Sequence, residues 1–505
     1  MSVMQSQVEP RLAEKAYREL VEALGEEKVT RNRTILFSYS GTALPIPKTM
    51  PDIVVSPRSV EDVQTTLKIA NRLVVPVTPI ASGTLEPSVI PKAGGIVLDT
   101  YAMNAIREIN TDAAYAVIEP GVSVGKLSRA IAPYNFRTCL GSFPPGNSAL
   151  LNYTLRGHGT HRSSGIDSEI LGLEVVLPDG TLVETGSKAF SQKFPSATWH
   201  SPWGPLPDLR AIFLNACGTY GVVTGGAVRI YDRNEVQTAP LFAFDSYGDA
   251  VRFMVRVSRA NLVEHVVTWH WGLVTTVNVL AAGEMEESDD FSLLFTMEPW
   301  QKPGDRPYNV AIPMYTGYAE DVEVHRRLLE KVAAENGGRP FDEEARERFP
   351  GAWHYWNSYA VEHQPCTAFM RGFAVGFGFM QILYAEPEKV VDLEDWGLKH
   401  VYNGGLTFGT TYYSHCIDQG RTIFLRITPF VDPVDEAEHA RAVEVYKSYI
   451  AEGMARYGAV PVRYDGINNY VEWAGGFGKL MRLIKQAVDP NNILNPGLRI
   501  YEGGW

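Results

Sequence analysis

PDIVVSPRSVEDVQTTLKIANRLVVPVTPIASGT, residues 51–84, decides the reading of the fold. Ile53-Val54-Val55 reads as a short strand. Ser59 followed by Asp62 makes a capping-box-like helix start, with Asp where Glu or Gln is usual. Val60, Val63, Leu67 and Ala70 then recur at helical spacing. Val74 to Val77 predicts a second strand, which runs into a turn carrying Ser82-Gly83-Thr84. Strand, helix, strand in this order builds a parallel pair.

Outward from this unit, residues 9–24 read as an amphipathic helix. GGIVLDT and AYAVIEPGV predict further strands, and LEVVLPDGTLVETG a hairpin turning at Asp179-Gly180. Residues 211–229 hold a short helix and a glycine-rich strand. The region to about 235 is therefore α+β. From 236 to 460 the pattern changes. VVTWHWGLV, SLLFTM, NVAIPMYTG and RTIFLRITPF read as strands, and DVEVHRRLLEKVAAEN and EAEHARAVEVYKSYIAEGMARYG as long helices. That order predicts a large antiparallel sheet covered by helices. The tail, FGKLMRLIKQAVDPNNILNPGLRIY, is a helix stopped at Asp489-Pro490.

Composition narrows the class. A chain of 505 residues exceeds one comfortable core, so at least two domains are expected. No apolar run approaches the ~18 residues of a membrane span. The start, MSVMQSQVEPRLAEKAYREL, is polar and carries acids, unlike a signal or transit peptide, so a cytoplasmic location is expected. Cys139, Cys217, Cys366 and Cys416 are scattered without a CxxC, which points to buried thiols rather than disulfides or zinc. The net charge of −12 comes without a Lys/Arg cluster and argues against a nucleic-acid partner. Aromatics gather between 350 and 415 in AWHYWNSY, GFAVGFGF and TTYYSH, as core or as the wall of an apolar pocket.

Neither a Walker loop nor a GxGxxG turn opening a helix is present. Two other turns suit a diphosphate, because small residues let backbone N–H groups approach an anion. They are PIASGT and PPGNSALLNYT, residues 144–154, with Pro145, Gly146, Asn147 and Ser148 at its head. GHGTHRSSG, residues 157–165, offers three readings: a metal site, a catalytic pair His158/His161, or a backbone loop against a cofactor. No third ligand with suitable spacing is near, so no metal is expected.

The order of these segments, closing with GTYGVVT and DPNNILNPG, resembles the vanillyl-alcohol oxidase/p-cresol methylhydroxylase flavoprotein family. The resemblance implies FAD bound by a two-part domain, residues 1–235 with 460–505 returning to it. An inserted cap, residues 236–459, would be built on the antiparallel sheet. It implies Ser82, Gly83 and Thr84 on the diphosphate and Ser148 to Asn152 along the flavin. Gly157 would approach the ring, Gly221, Val222 and Val223 would lie near the adenine, and Asn495 would return to the flavin. Arg463, in PVRYDG, falls where the phenol-oxidising branch places an arginine that stabilises a phenolate.

Three departures stand out. The usual place of a covalent flavin link falls in VGFGFM, around Gly376 and Phe377, without a His, Tyr or Cys, which predicts non-covalent FAD. Val462 stands where a tyrosine usually precedes the arginine. The acid beside flavin N5 falls on Gly165, with Asp167 two residues later. The 2-hydroxy-acid branch's HxGDGNxH-type stretch is also missing; TTYYSHCIDQGR supplies only His415, with Tyr412, Tyr413 and Arg421 close in sequence. Proton acceptors are sought among His415, Tyr413, Asp465, Asp167 and His161. Three functions stay open: oxidation of a 4-alkylphenol or benzylic alcohol, oxidation of a small 2-hydroxy acid, and an electron-relay subunit. A homo-oligomer or an electron-accepting partner protein fits any of them.

Overall fold

The computed structural model describes residues 6–40, 49–82, 91, 93–139, 146–155, 160–161, 164–282, 289–360, 382–432, 435–462 and 468–496. The first unit forms as expected. Ser59 caps the helix Val60–Leu73 by accepting from Asp62 N–H, and Val63, Leu67 and Ala70 are buried along one face. The second strand starts later than predicted, at Val77. The helix continues through Leu73, and Val74 closes it in the left-handed region (φ 53°). Strands Ile53–Val55 and Val77–Ile80 are parallel, but each pairs with Ile96–Asp99, which lies between them.

Beside this sheet stands a five-stranded antiparallel one, in the order Leu182–Glu184, Ile170–Val176, Val222–Arg229, Tyr115–Ile118, Ile106–Asn110. The expected hairpin at Asp179-Gly180 joins the first two, with Gly180 at φ 86°.

The later part is built on a nine-stranded sheet in which every pairing among described residues is antiparallel. At its centre lie Asn309–Gly317, His265–His270, Thr411–Ile417 and Thr422–Thr428. Alternation divides its residues between two faces. Val266, Tyr412, Cys416, Leu425 and Ile427 face a core that includes residues of the helices Tyr247–Arg259, Pro387–Asn403 and Glu436–Tyr457. Val267, Trp269, Val310 and Ile312 face the helices Trp271–Ala282 and Pro350–Ala360.

Two predicted strands are corrected. VVTWHWGLV is a strand only to His270 and a helix from Trp271; Trp271 N–H leaves the ladder for Tyr308 O, and Gly272 N–H turns back to His270 Nδ1. SLLFTM belongs to the helix Asp289–Thr296. Continuous apolar runs carry no period, so strand and buried helix look alike in them. No helix among the described residues is long and apolar enough to cross a membrane.

Candidate active site and cofactor cradle

Four segments distant in the chain meet at the end of the strand Val77–Ile80. Ser82 Oγ accepts from Ser148 N–H at 3.2 Å. Ser148 caps the helix Ala149–Thr154, and Asn147 O accepts from Val124 N–H, so this turn is tied on both sides. Residues 493–495 run alongside the strand: Val77 N–H donates to Ile493 O at 2.7 Å, and Asn495 N–H to Val77 O at 2.8 Å. Asn495 Nδ2 then donates to Cys217 O at 2.7 Å. Next to it Gly218, at φ 71°, packs so tightly on Pro79 that a Cβ would lie 2.3 Å from Pro79 Cγ.

A buried lysine holds the last segment in place. Lys485 Nζ donates to Thr219 O and Leu494 O and pairs with Asp489, whose carboxylate accepts from Ile493 and Leu494 N–H. Burial pulls the Lys485 pKa down while Asp489 pulls it back up.

This cradle suits a diphosphate-bearing cofactor. A Cβ at Gly146 would meet no atom within 4 Å, so the backbone there borders open space. Thr219 Oγ1 is buried with no hydrogen-bond partner among the described residues. Asn152 is half-buried on the same short helix. Of the adenine-side candidates, Val222 is buried in the core, a side chain at Gly221 would strike Val175, and Val223 is half-buried against the core. Gly83, Thr84, Pro145, Gly157 and His158 lie outside the described residues, as do Arg463, Asp465 and the VGFGFM segment with Gly376 and Phe377. Thr160–His161 and Ser164–Gly165 pair as a short hairpin; the side chains of His161 and Asp167 are outside what is described.

One side of the nine-stranded sheet presents Tyr413, His415 and Phe424 together. His415 is 2% exposed, its ring 4.1 Å from Phe424 and 5.3 Å from His265. Neither of its ring nitrogens has a hydrogen-bond partner among the described residues. Burial, and His265 beside it, hold its pKa well below the usual histidine range, so the ring is neutral. Tyr413 OH accepts from Arg426 Nη1 at 3.2 Å, and the same guanidinium lies 5.3 Å from the Tyr413 ring centroid. Val462 packs on Phe424, Tyr384 and Tyr413. Asn215 joins the two halves: its Nδ2 donates to Val462 O at 3.0 Å, and its N–H to Thr154 O at 2.7 Å.

Of Tyr412, Tyr413 and Arg421, Tyr413 shares the face of His415 and the other two do not. Tyr412 lies on the opposite side, stacked on His270 at 4.7 Å and donating to Asn309. There Tyr308 OH donates to Glu394 at 2.9 Å, and burial pushes the Glu394 pKa up to about 8. Arg421 is exposed and pairs with Asp418 in the hairpin turn. Phe424 and Arg426 were missed by sequence reasoning, although a turn centred on residues 418–421 puts them opposite His415 and Tyr413. Near the cradle, buried Glu169 accepts from Tyr231 OH at 3.0 Å, and its pKa is raised to about 7 by burial.

Residues 51–186 match the FAD binding domain family model, and residues 471–498 that of the FAD linked oxidases C-terminal domain. The fold matches the crystal structure of p-cresol methylhydroxylase with substrate bound, at TM-score 0.82 and 22% identity over 100% of both chains. It matches 4-ethylphenol oxidase from Gulosibacter chungangensis at TM-score 0.80 and 19% identity over 98% of both. The chain thus carries an FAD binding domain, and its fold is that of the vanillyl-alcohol oxidase/p-cresol methylhydroxylase flavoproteins. Relatives of this FAD-dependent oxidoreductase include the 4-cresol dehydrogenase [hydroxylating] flavoprotein subunit of Pseudomonas putida, 25% identical over 96% of this chain and 94% of that one. A probable mitochondrial D-lactate dehydrogenase of Danio rerio is 24% identical over 88% and 84%. The glycolate oxidase subunit GlcD of Bacillus subtilis is 27% identical over 48% of this chain; the chain spans about half, 51%, of that relative's length.

Proposed function

We propose that this FAD-dependent oxidoreductase acts on an aromatic substrate of the 4-alkylphenol or benzylic alcohol type, with FAD held non-covalently. The observation that carries the reading is the wall of Tyr413, His415 and Phe424, tied through Val462 and Asn215 to the helix capped by Ser148. A flat ring gains edge-to-face and stacking contacts from such a wall. The phenol-oxidising proteins of the same fold support a phenolic substrate.

In this reading residues 1–235 and 460–505 hold the cofactor, and residues 236–459 form the cap. Ser82, Gly83 and Thr84 take the diphosphate, and the turn from Pro145 to Ser148, with Asn152, Gly157 and Asn495, borders the flavin. Gly221, Val222 and Val223 border the adenine side through their backbone. FAD, when bound, supplies the hydride acceptor. Arg463, permanently charged, stabilises the phenolate. His415, neutral in the folded protein, is the acceptor proposed for the hydroxyl proton on the cap side, and Tyr413 orients the ring from its bond to Arg426. Asp167 and His161 are the acceptors on the cofactor side.

The D-lactate dehydrogenase likeness over most of the chain supports a second reading, in which Arg463 binds the carboxylate of a 2-hydroxy acid. Anaerobic bleaching of the flavin by 4-alkylphenols, benzylic alcohols and 2-hydroxy acids separates the two. Bleaching by phenols or benzylic alcohols is expected; bleaching by hydroxy acids alone would move the assignment to the second. Acid precipitation should leave a colourless pellet and a yellow supernatant, whereas a yellow pellet would show a covalent flavin.

A further inference from the structure

The helix Gly476–Val488 is packed with its apolar side outward. Its buried residues are Gly478 and Lys485, while Phe477, Leu480 and Leu483 are 65%, 51% and 54% exposed. Trp473, just before it, is 48% exposed. At about 100° per residue, Phe477, Leu480, Leu483, Ile484 and Ala487 form one stripe roughly opposite Lys485. The helix cannot roll to hide the stripe. Lys485 is fixed by the carbonyls of Thr219 and Leu494 and by Asp489. At Gly478 a Cβ would fall 1.8 Å from Val471 O, so the backbone sits directly on the preceding turn.

Lys479 and Arg482 flank the stripe on one side. With the buried Lys485–Asp489 pair set aside, residues 470–489 carry two cations, Lys479 and Arg482, against one acid, Glu472, in a chain of net charge −12. We propose that this face docks on an anionic membrane surface. The stripe enters the boundary between headgroups and acyl chains, Trp473 sits at the interface, and Lys479 and Arg482 meet lipid phosphates. Charge complementarity selects this occupant. A two-fold contact with a second copy would bring the same cations toward each other.

The test is co-sedimentation of the full-length, FAD-loaded protein with extruded vesicles. Phosphatidylcholine alone is compared with equal parts phosphatidylcholine and phosphatidylglycerol, at low and high salt. Binding is expected only to the anionic vesicles and weakens with salt. Leu480→Glu and Leu483→Glu should each lower partition about tenfold or more, and Lys479→Glu should lower it too. Flavin content should stay unchanged, because these side chains are exposed and lie on other sides of the helix than Lys485. No binding to anionic vesicles, or unchanged binding by both leucine variants, would overturn the proposal. So would a dimer on size-exclusion chromatography that Leu480→Glu converts to monomer, since the stripe would then belong to a second copy.

Discussion

Arg137 and Glu264 form a buried ion pair between the strand Phe136–Arg137 and the start of the nine-stranded sheet. Arg137 Nη2 lies 2.9 and 2.8 Å from the two carboxylate oxygens, and Thr316 Oγ1 donates to the same carboxylate at 2.9 Å. Tyr231 lies beneath the guanidinium at 5.4 Å. Removing one partner leaves an uncompensated charge in the interior, at a cost of about 3–5 kcal/mol. Arg137→Met should lose that much stability in urea unfolding, and Arg137→Met with Glu264→Gln clearly less. Equal losses in the two would show that the pair is not the origin of the cost.

Lys485 holds the segment that brings Asn495 to the cradle. Lys485→Met leaves Asp489 buried without its cation, again about 3–5 kcal/mol. It also frees the Thr219 and Leu494 carbonyls. The expected result is a lower Tm together with a fall in the flavin-to-protein absorbance ratio. A variant that loses stability but keeps full flavin content would separate this lysine from cofactor binding.

Glu394 gives a pH dependence whose sign follows from its burial. The folded protein keeps the proton up to about pH 8, and the unfolded chain releases it near the ordinary 4.5. Between these values the folded state binds more protons, so stability falls as pH rises through the window and levels off above it. Glu394→Gln mimics the neutral acid that accepts from Tyr308. Compared with wild type, it should be favoured at pH 9 over pH 5, by roughly a few kcal/mol at most. Parallel Tm curves for the two proteins from pH 5 to 9 would contradict this.

His415 carries the proposed proton transfer. Because its ring makes no hydrogen bond to the described residues, His415→Gln should cost roughly 1 kcal/mol or less of stability. Loss of a positioned base lowers kcat by about a hundredfold or more. Single-turnover flavin reduction is the measurement, with flavin content as the control. Reduction at the wild-type rate would falsify the assignment.

Much of the fold was legible because its signals are local. Ser59 with Val63, Leu67 and Ala70 marked a helix, and Asp179-Gly180 a hairpin. The insertion of Ile96–Asp99 between the two parallel strands was not legible, since crossover patterns give direction but not adjacency. SLLFTM failed for want of a period. At the site, parity separates Tyr413 from Tyr412, and a strand assignment for TTYYSHC would have shown it. The Arg137–Glu264 pair lies 127 residues apart in sequence, and no local pattern encodes it.

The run of residues 493–495 beside Val77 sets an order of assembly. The edge of the first sheet is completed by a segment that follows it far along the chain. All the strands of the nine-stranded sheet have been synthesised before that edge can close. Docking of the segment that carries Asn495 on the first sheet therefore comes after synthesis of all those strands. A nascent or C-terminally clipped chain ending before Asp489 would carry a complete set of cap strands and an open cradle.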